Sequence, residues 1–217
     1  MREPFIRNHQ YNEIKKQAGI LQHALGTVVD LLVLESVKYT TESNIMEMFK
    51  DTTAEQKQML EAISTLRTKE DFAKYLRDLE AYLTEFPAIT AKQIQKLFPK
   101  NKKLKLPDLA AIDYRYVTYL SWIDIASNKL FIVYPVNGQF VGVEGRYSPT
   151  NKKNYCFVCN RFEELALFSA ITKKRPAGTS PDYYKAVGNY MCAKSEDCNK
   201  NITDTTALEK FIHAVIS

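Results

Sequence analysis

Histidine, glycine, cysteine and tryptophan are scarce in this chain of 217 residues, with three, seven, four and one respectively. The three histidines, His9, His23 and His213, are scattered, so no H-E-x-x-H helix exists to hold a catalytic metal. The few glycines build neither a phosphate-cradling loop nor a G-x-S-x-G elbow, which removes the common signatures of nucleotide hydrolysis and serine hydrolases. No stretch of about 18 apolar residues occurs, so no membrane span is expected. The opening MREPFIRNHQ has no apolar run and no small-residue cleavage site, and the expectation is a cytoplasmic chain whose cysteines stay reduced.

What is present is ordinary for a soluble protein, at 45% hydrophobic and 25% charged residues, and the length suffices for two domains with cores. Charge is unevenly spread. Residues 1–90 carry 11 Lys/Arg against 14 Asp/Glu, and residues 91–217 carry 19 against 11. An acidic first part and a basic second part predict two modules with different neighbours, the basic one suited to an anionic surface such as RNA or an acidic protein.

The first part reads as four amphipathic helices. Tyr11, Ile14, Ala18, Leu21 and Leu25 recur at helical spacing, as do Met59, Ile63 and Leu66, and then Phe72, Tyr75, Leu76, Leu79, Tyr82, Leu83 and Phe86. Thr53 with Gln56, three residues on, has the form of a capping box and marks where the third helix starts. In the second helix Leu31, Leu34, Ile45, Met48 and Phe49 fit one face, but Tyr39, Thr40 and Thr41 are poor helix formers and predict a bend or break. Such helices would bury their stripes as an antiparallel bundle. Pro87 closes this region. A short helix follows with Thr90 and Gln93 in capping register, and Lys92, Lys96, Lys100, Lys102, Lys103 and Lys105 crowd into fourteen residues, with Pro99 and Pro107 breaking the helix. That run reads either as a phosphate or acidic-protein contact or as a solvated linker.

Beyond Pro107 the pattern turns to strands. Residues 115–123 and 130–134 are rich in Tyr, Val, Leu and Ile, and Asn137-Gly138 before residues 140–147 signals a hairpin, because both residues tolerate positive φ. Residues 165–171 form a further strand-like run. A loop with Pro176, Gly178 and Pro181 leads to Tyr190, Met191 and Cys192, and Leu208, Phe211, Ile212, Val215 and Ile216 describe a terminal helix begun by Thr203 or Asp204. His213 near its end suits the helix dipole and reads as structural. Two domains are therefore expected, residues 1–88 and 89–217, in an α+β chain.

All four cysteines fall in the last third: Cys156 and Cys159 as C-x-x-C, then Cys192 and Cys198 with five residues between them. Two pairs of thiolates would saturate one tetrahedral zinc, a structural ion that folds a loop-rich region. Core cysteines or two disulfides are the alternatives. Four sulfurs leave no open position for a water nucleophile, which speaks against a zinc hydrolase. Asp113, Asp124 and Glu144 are the carboxylates of the β region, and no pairing between them is legible. No enzyme is expected.

The segments His9-Gln10-Tyr11-Asn12, Trp122 through Lys129 (WIDIASNK), and Cys156-x-x-Cys159 with Gly188-Asn189-Tyr190-Met191-Cys192-x5-Cys198-Asn199-Lys200 together resemble the elongation factor G-binding proteins of the FusB fusidic-acid-resistance type. The resemblance spans essentially the whole chain. It implies an N-terminal helical bundle followed by a mixed α/β domain with a treble-clef-like zinc finger, which binds elongation factor G on and off the ribosome and frees it from complexes locked by fusidic acid. It also implies a non-enzymatic monomer that protects the drug's target. Carried over by position, the contact surface falls on Tyr155, Tyr190 and Phe211, with Val187 at a family lysine position and Lys185 nearby as a substitute cation. Core packing is the competing reading for each aromatic residue, most strongly for Phe211. A zinc-containing RNA- or ribosome-binding protein, touching RNA through the lysine run, is the alternative function.

Overall fold

The computed structural model describes residues 3–173, 178, 180 and 184–217. It divides into two compact units, Met1–Thr84 and Glu85–Ser217.

The first unit is helical: α1 (Asn8–Thr27), α2 (Leu31–Met46), α3 (Ala54–Glu61) and α4 (Lys69–Leu79), with 3₁₀ turns at Ala62–Thr65 and Glu80–Tyr82. Side chains write the helix starts. Thr53 and Gln56 exchange reciprocal hydrogen bonds before α3, at 3.2 and 3.0 Å, and Thr68 with Asp71 does the same before α4. Ile14, Ala18 and Leu21 of α1 are buried with Ile45, Ile63, Phe72 and Leu79, as helical periodicity marked, while Leu60 is buried where Met59 was expected and Met59 and Leu66 are only partly covered. The Tyr75 hydroxyl donates to the Leu60 carbonyl at 3.1 Å, so a buried phenol is satisfied rather than orphaned.

Two expectations for this unit are corrected. Helix α2 runs unbroken through Tyr39, Thr40 and Thr41. Thr41 is buried on its inner face, with Lys38 and Ile45, while Tyr39 and Thr40 point outward, so burial overrides the small propensity cost of a β-branched residue. Leu31, expected on the core face, is exposed. The second correction concerns the region after Leu79. The helix stops there, and Leu83 pairs as a parallel bridge with Ile6, with Thr84 N–H donating to Ile6 O at 2.8 Å. Phe86, expected on the α4 stripe, belongs to a core of the second unit with Ile94, Phe98 and Trp122.

The second unit begins with α5 (Ala91–Leu97), started by a Thr90–Gln93 capping box. A five-stranded antiparallel meander follows in the order β1 (Leu120–Asp124), β2 (Lys129–Val136), β3 (Gln139–Tyr155), β4 (Phe162–Ile171) and β5 (Ala186–Cys192). Helices α6 (Ser195–Asn201) and α7 (Thr206–Ile216) close it. The hairpin between β2 and β3 turns on Asn137 (φ 50°) and Gly138 (φ 76°), the left-handed pair that the sequence signalled. Strand β2 is covered on both faces. Leu130, Ile132 and Tyr134 enter one core, shared with α7, while Phe131 and Val133 enter another beneath Phe98, which is why the strand reads as an unbroken apolar run. Phe98 sits edge-on to Phe131 at 5.0 Å, and Trp122 stacks on Phe131 at 5.3 Å.

The expected strand over residues 115–123 is half strand. Tyr114–Tyr116 forms a 3₁₀ turn because Asp113 accepts the Arg115 backbone N–H at 3.2 Å and pairs with its guanidinium at 2.6 Å, offering the backbone a local alternative to a ladder. The guanidinium also holds the exposed Asp113 carboxyl below its ordinary pKa. Strand β3 runs on past Tyr147 to Tyr155, with a register break between Pro149 and Lys153 where Asn151 takes φ 52°. Strand β5 was legible only at its end. Of the expected loop, Pro176 and Pro181 lie outside the described residues. At the terminal helix the capping position is Thr205 rather than Thr203 or Asp204, and Asp204, one residue earlier, accepts the Thr206 N–H at 3.0 Å.

Gly142 marks how closely α5 meets the sheet: a Cβ there would lie 2.7 Å from the Phe98 ring. Gly142→Ala is therefore expected to destabilise the second unit by about 1–3 kcal/mol, an overpacking cost, read as a lower urea midpoint for the Trp122 fluorescence transition.

Candidate metal centre

The four cysteines converge from three elements. Cys156 and Cys159 occupy the turn that reverses β3 into β4, where Cys156 N–H donates to Arg161 O at 3.0 Å and Asn160 N–H to Cys156 O at 2.9 Å. Asn160 takes φ 51° to complete the reversal. Cys192 ends β5, and Cys198 lies within α6. The five intervening residues therefore carry the chain from a strand end to a helical turn. The second pair is a strand-to-helix step rather than a second knuckle, which accounts for its wider spacing.

All four sulfurs are buried and lie within 4.8 Å of one another. Cys156 Sγ is 3.9 Å from Cys198 Sγ, and Cys159 Sγ is 3.5 Å from Cys192 Sγ. A tetrahedral zinc with bonds of about 2.3 Å needs sulfur separations of about 3.8 Å, so the set has the size and donor chemistry that this ion requires. Neither close pair is a disulfide; all four cysteines are free. Backbone N–H groups of Val158 and Cys192 point at Cys156 Sγ from 3.4 and 3.3 Å, the donors that stabilise a charged thiolate. Hydrogen bonds with the Cys159, Cys192 and Cys198 thiols push Cys156 down, while hydrogen bonds with Cys156 and Cys159 push Cys192 and Cys198 up. The sulfurs are thus coupled, and only a cation among them lets all four ionise together.

The centre reaches into the sheet through Asn199, the residue after the last sulfur. Its buried side-chain oxygen accepts the N–H groups of Thr118 and Tyr119 at 2.8 and 3.3 Å, and its amide donates to Tyr119 O at 3.0 Å. One side chain so fixes the backbone that leads into β1. Sequence reasoning read Asn199 only as part of a motif; its role depends on a contact 80 residues away that no local pattern announces.

The expected partner-contact residues separate into two groups. Tyr155, immediately before the first sulfur, is 63% exposed, and Tyr190, two residues before the third, is 50% exposed. The two are linked through the knuckle, where Phe157 N–H donates to Tyr190 O at 3.0 Å. Phe162 lies opposite Tyr155 in the β3–β4 ladder, meets its ring edge-on at 5.5 Å and is 56% exposed. Sequence reasoning missed it. An aromatic residue on the far side of a C-x-x-C turn was the available signal. Phe211, by contrast, is only 5% exposed, with its ring 5.5 Å from both Phe157 and Phe168. Val187 sits opposite Ala170 and packs against the same core, while Lys185 is exposed.

Known proteins match along the whole length. Residues 5–87 match the family model described as "Elongation factor G-binding protein, N-terminal", and residues 95–213 match "FBP C-terminal treble-clef zinc-finger". A solved structure of the fusidic acid resistance protein FusC is 29% identical, with 99% of this chain and 98% of that one covered at a TM-score of 0.82. No curated protein matches the chain.

A structural zinc contributes roughly 10–16 kcal/mol in small finger peptides, as much as the whole stability of a typical domain. Cys198→Ser is accordingly expected to abolish metal retention and unfold the second unit. Near-ultraviolet circular dichroism should lose its Trp122 signal, while the far-ultraviolet helical signal of α1 to α4 persists.

Proposed function

The chain belongs to the family of elongation factor G-binding proteins, and from that premise we propose that it grips elongation factor G with its zinc-finger unit and releases the factor from ribosomes stalled by fusidic acid. The observation that carries this reading is the pair of exposed rings, Tyr155 and Tyr190, set beside a buried four-sulfur centre. A single zinc ion held by Cys156, Cys159, Cys192 and Cys198 would stiffen the knuckle between them. Rigid aromatic anchors lose little freedom on binding and commonly dominate interface energetics. Four sulfurs fill the coordination sphere, which favours a binding role over hydrolysis.

Within this reading the contact residues divide by exposure. Tyr155 and Tyr190 touch the factor, Phe162 braces Tyr155, and Lys185 supplies the cation at the outer end of β5. Val187 is turned toward the core and contributes packing. Phe211 acts from beneath, as a positioning residue, through its contact with Phe157. Release follows if the protein binds the freed conformation of the factor more tightly than the drug-locked one, because a ligand shifts an equilibrium only by its difference in affinity between states. The protein would work in the cytoplasm as a monomer, on and off the ribosome; among the described residues no helix is long and apolar enough to cross a membrane.

One observation favours a second reading. Lys92, Lys96, Lys100, Lys102, Lys103 and Lys105 are all exposed, as an RNA-contacting strip requires.

Titration of purified elongation factor G by calorimetry separates the two. Tyr155→Ala and Tyr190→Ala are each expected to weaken the complex by about 2 kcal/mol or more, the loss of an interface hot spot, with the melting temperature unchanged. Phe211→Ala should lower stability by about 3–5 kcal/mol as well. Absence of any complex at micromolar concentration, together with steeply salt-dependent binding of RNA, would favour the alternative.

A further inference from the structure

Tyr119 carries a feature that neither the fold nor partner binding explains. Its side chain is fully buried, in the same core cluster as Cys156, Cys159, Cys192 and Cys198. Its hydroxyl has no hydrogen-bond partner. Buried phenols normally find one, as Tyr75 does at Leu60 O and Tyr134 does at Glu209 Oε1, 2.6 Å away. A hydroxyl kept in a dry core without a partner is a recurring cost that phenylalanine would avoid.

The position of the ring is not loose. Asn199 fixes the Tyr119 backbone with three hydrogen bonds that involve Thr118 and Tyr119, and Asn199 is joined directly to Cys198. The backbone that carries the ring is therefore tied to the residue next to the fourth sulfur. A neutral thiol is a weak acceptor, whereas a metal-bound thiolate carries charge and accepts strongly.

We propose that the Tyr119 hydroxyl donates a hydrogen bond to the Cys198 thiolate of the metal-loaded centre, which makes Tyr119 a positioning residue that favours the loaded state. This rests on the zinc reading of the four cysteines. The hydroxyl is then partnered in the loaded protein, and its retention in an apolar core has a reason. The donor spreads negative charge away from the fourth sulfur, which stands deepest in the protein with 0% exposure.

Full-length protein carrying Tyr119→Phe, with Tyr134→Phe as a control for losing a buried hydroxyl in the same core, tests this. Zinc affinity, measured by competition with a chromophoric chelator, should fall about tenfold or more in Tyr119→Phe and stay at the wild-type value in Tyr134→Phe. In the cobalt-substituted proteins, loss of the donor should move the sulfur-to-cobalt charge-transfer bands to longer wavelength in Tyr119→Phe alone. Wild-type affinity and unmoved bands in Tyr119→Phe would overturn the proposal. Should that variant fail to fold, 3-fluorotyrosine placed at position 119 keeps the ring and strengthens the donor; the bands should then move to shorter wavelength, and unmoved bands overturn the proposal equally. Wild-type protein that retains no metal would instead refute the zinc reading itself, and so the two failures are distinguishable.

Discussion

The second unit depends on bringing four buried sulfurs from a turn, a strand end and a helix to within one coordination sphere. Such a cluster is unfavourable without a cation, since coupled thiols resist ionising together and thiols are weak hydrogen-bonding groups. With a cation it ties the β3–β4 turn to β5 and α6. Asn199 extends that tie to the start of β1, at the far edge of the meander. The sheet is thus held at both edges by neighbouring residues of one short helix. The surface consequence is that Tyr155 and Tyr190 stand on backbone fixed by the same centre, and aromatic rings on rigid backbone make better anchors than rings on a mobile loop.

Much of this was legible from residue order, and the misses have physical causes. Capping pairs such as Thr53–Gln56 and Thr90–Gln93 are local, so the helix starts they predict are where the structure has them. The Asn137-Gly138 hairpin is local too. Cysteine spacing picked out four sulfurs that the fold does bring together, because few other uses exist for two such pairs in one domain. What failed was long-range. The α4 stripe continued on paper to Phe86, but Leu83 is drawn away by Ile6, 77 positions earlier, which periodicity cannot show. The interruption expected at Tyr39 to Thr41 was a propensity argument, and tertiary burial of Thr41 overrode it. Strand β5 escaped notice because Gly188 and Asn189 dilute its β character, although Met191 and Cys192 are buried.

Among candidate contact residues, residue type was readable and exposure was not. Tyr155, Tyr190 and Phe211 are all aromatic and all close to the cysteines in sequence or family pattern. Only the fold distinguishes two rings in solvent from one wedged between Phe157 and Phe168. The same holds at position 187. A valine there looked like the loss of a charge, yet its side chain packs against the core while Lys185, just before the strand begins, is exposed, so place in the fold rather than residue type decides which position can present a cation.

The hydrogen bonds from Asn199 to Thr118 and Tyr119 also set an order of events during synthesis. The helical unit closes on the bridge between Ile6 and Leu83, and all of its chain has left the ribosome long before the second unit is complete. Strand β1, by contrast, is translated some 80 residues ahead of the side chain that fixes its leading end. Until α6 emerges, the apolar β1–β2 hairpin waits with its outer edge unanchored and the four-sulfur set incomplete. The nascent second unit therefore spends most of its translation as an unfinished sheet, and its first strand is secured only once the Asn199 side chain has emerged.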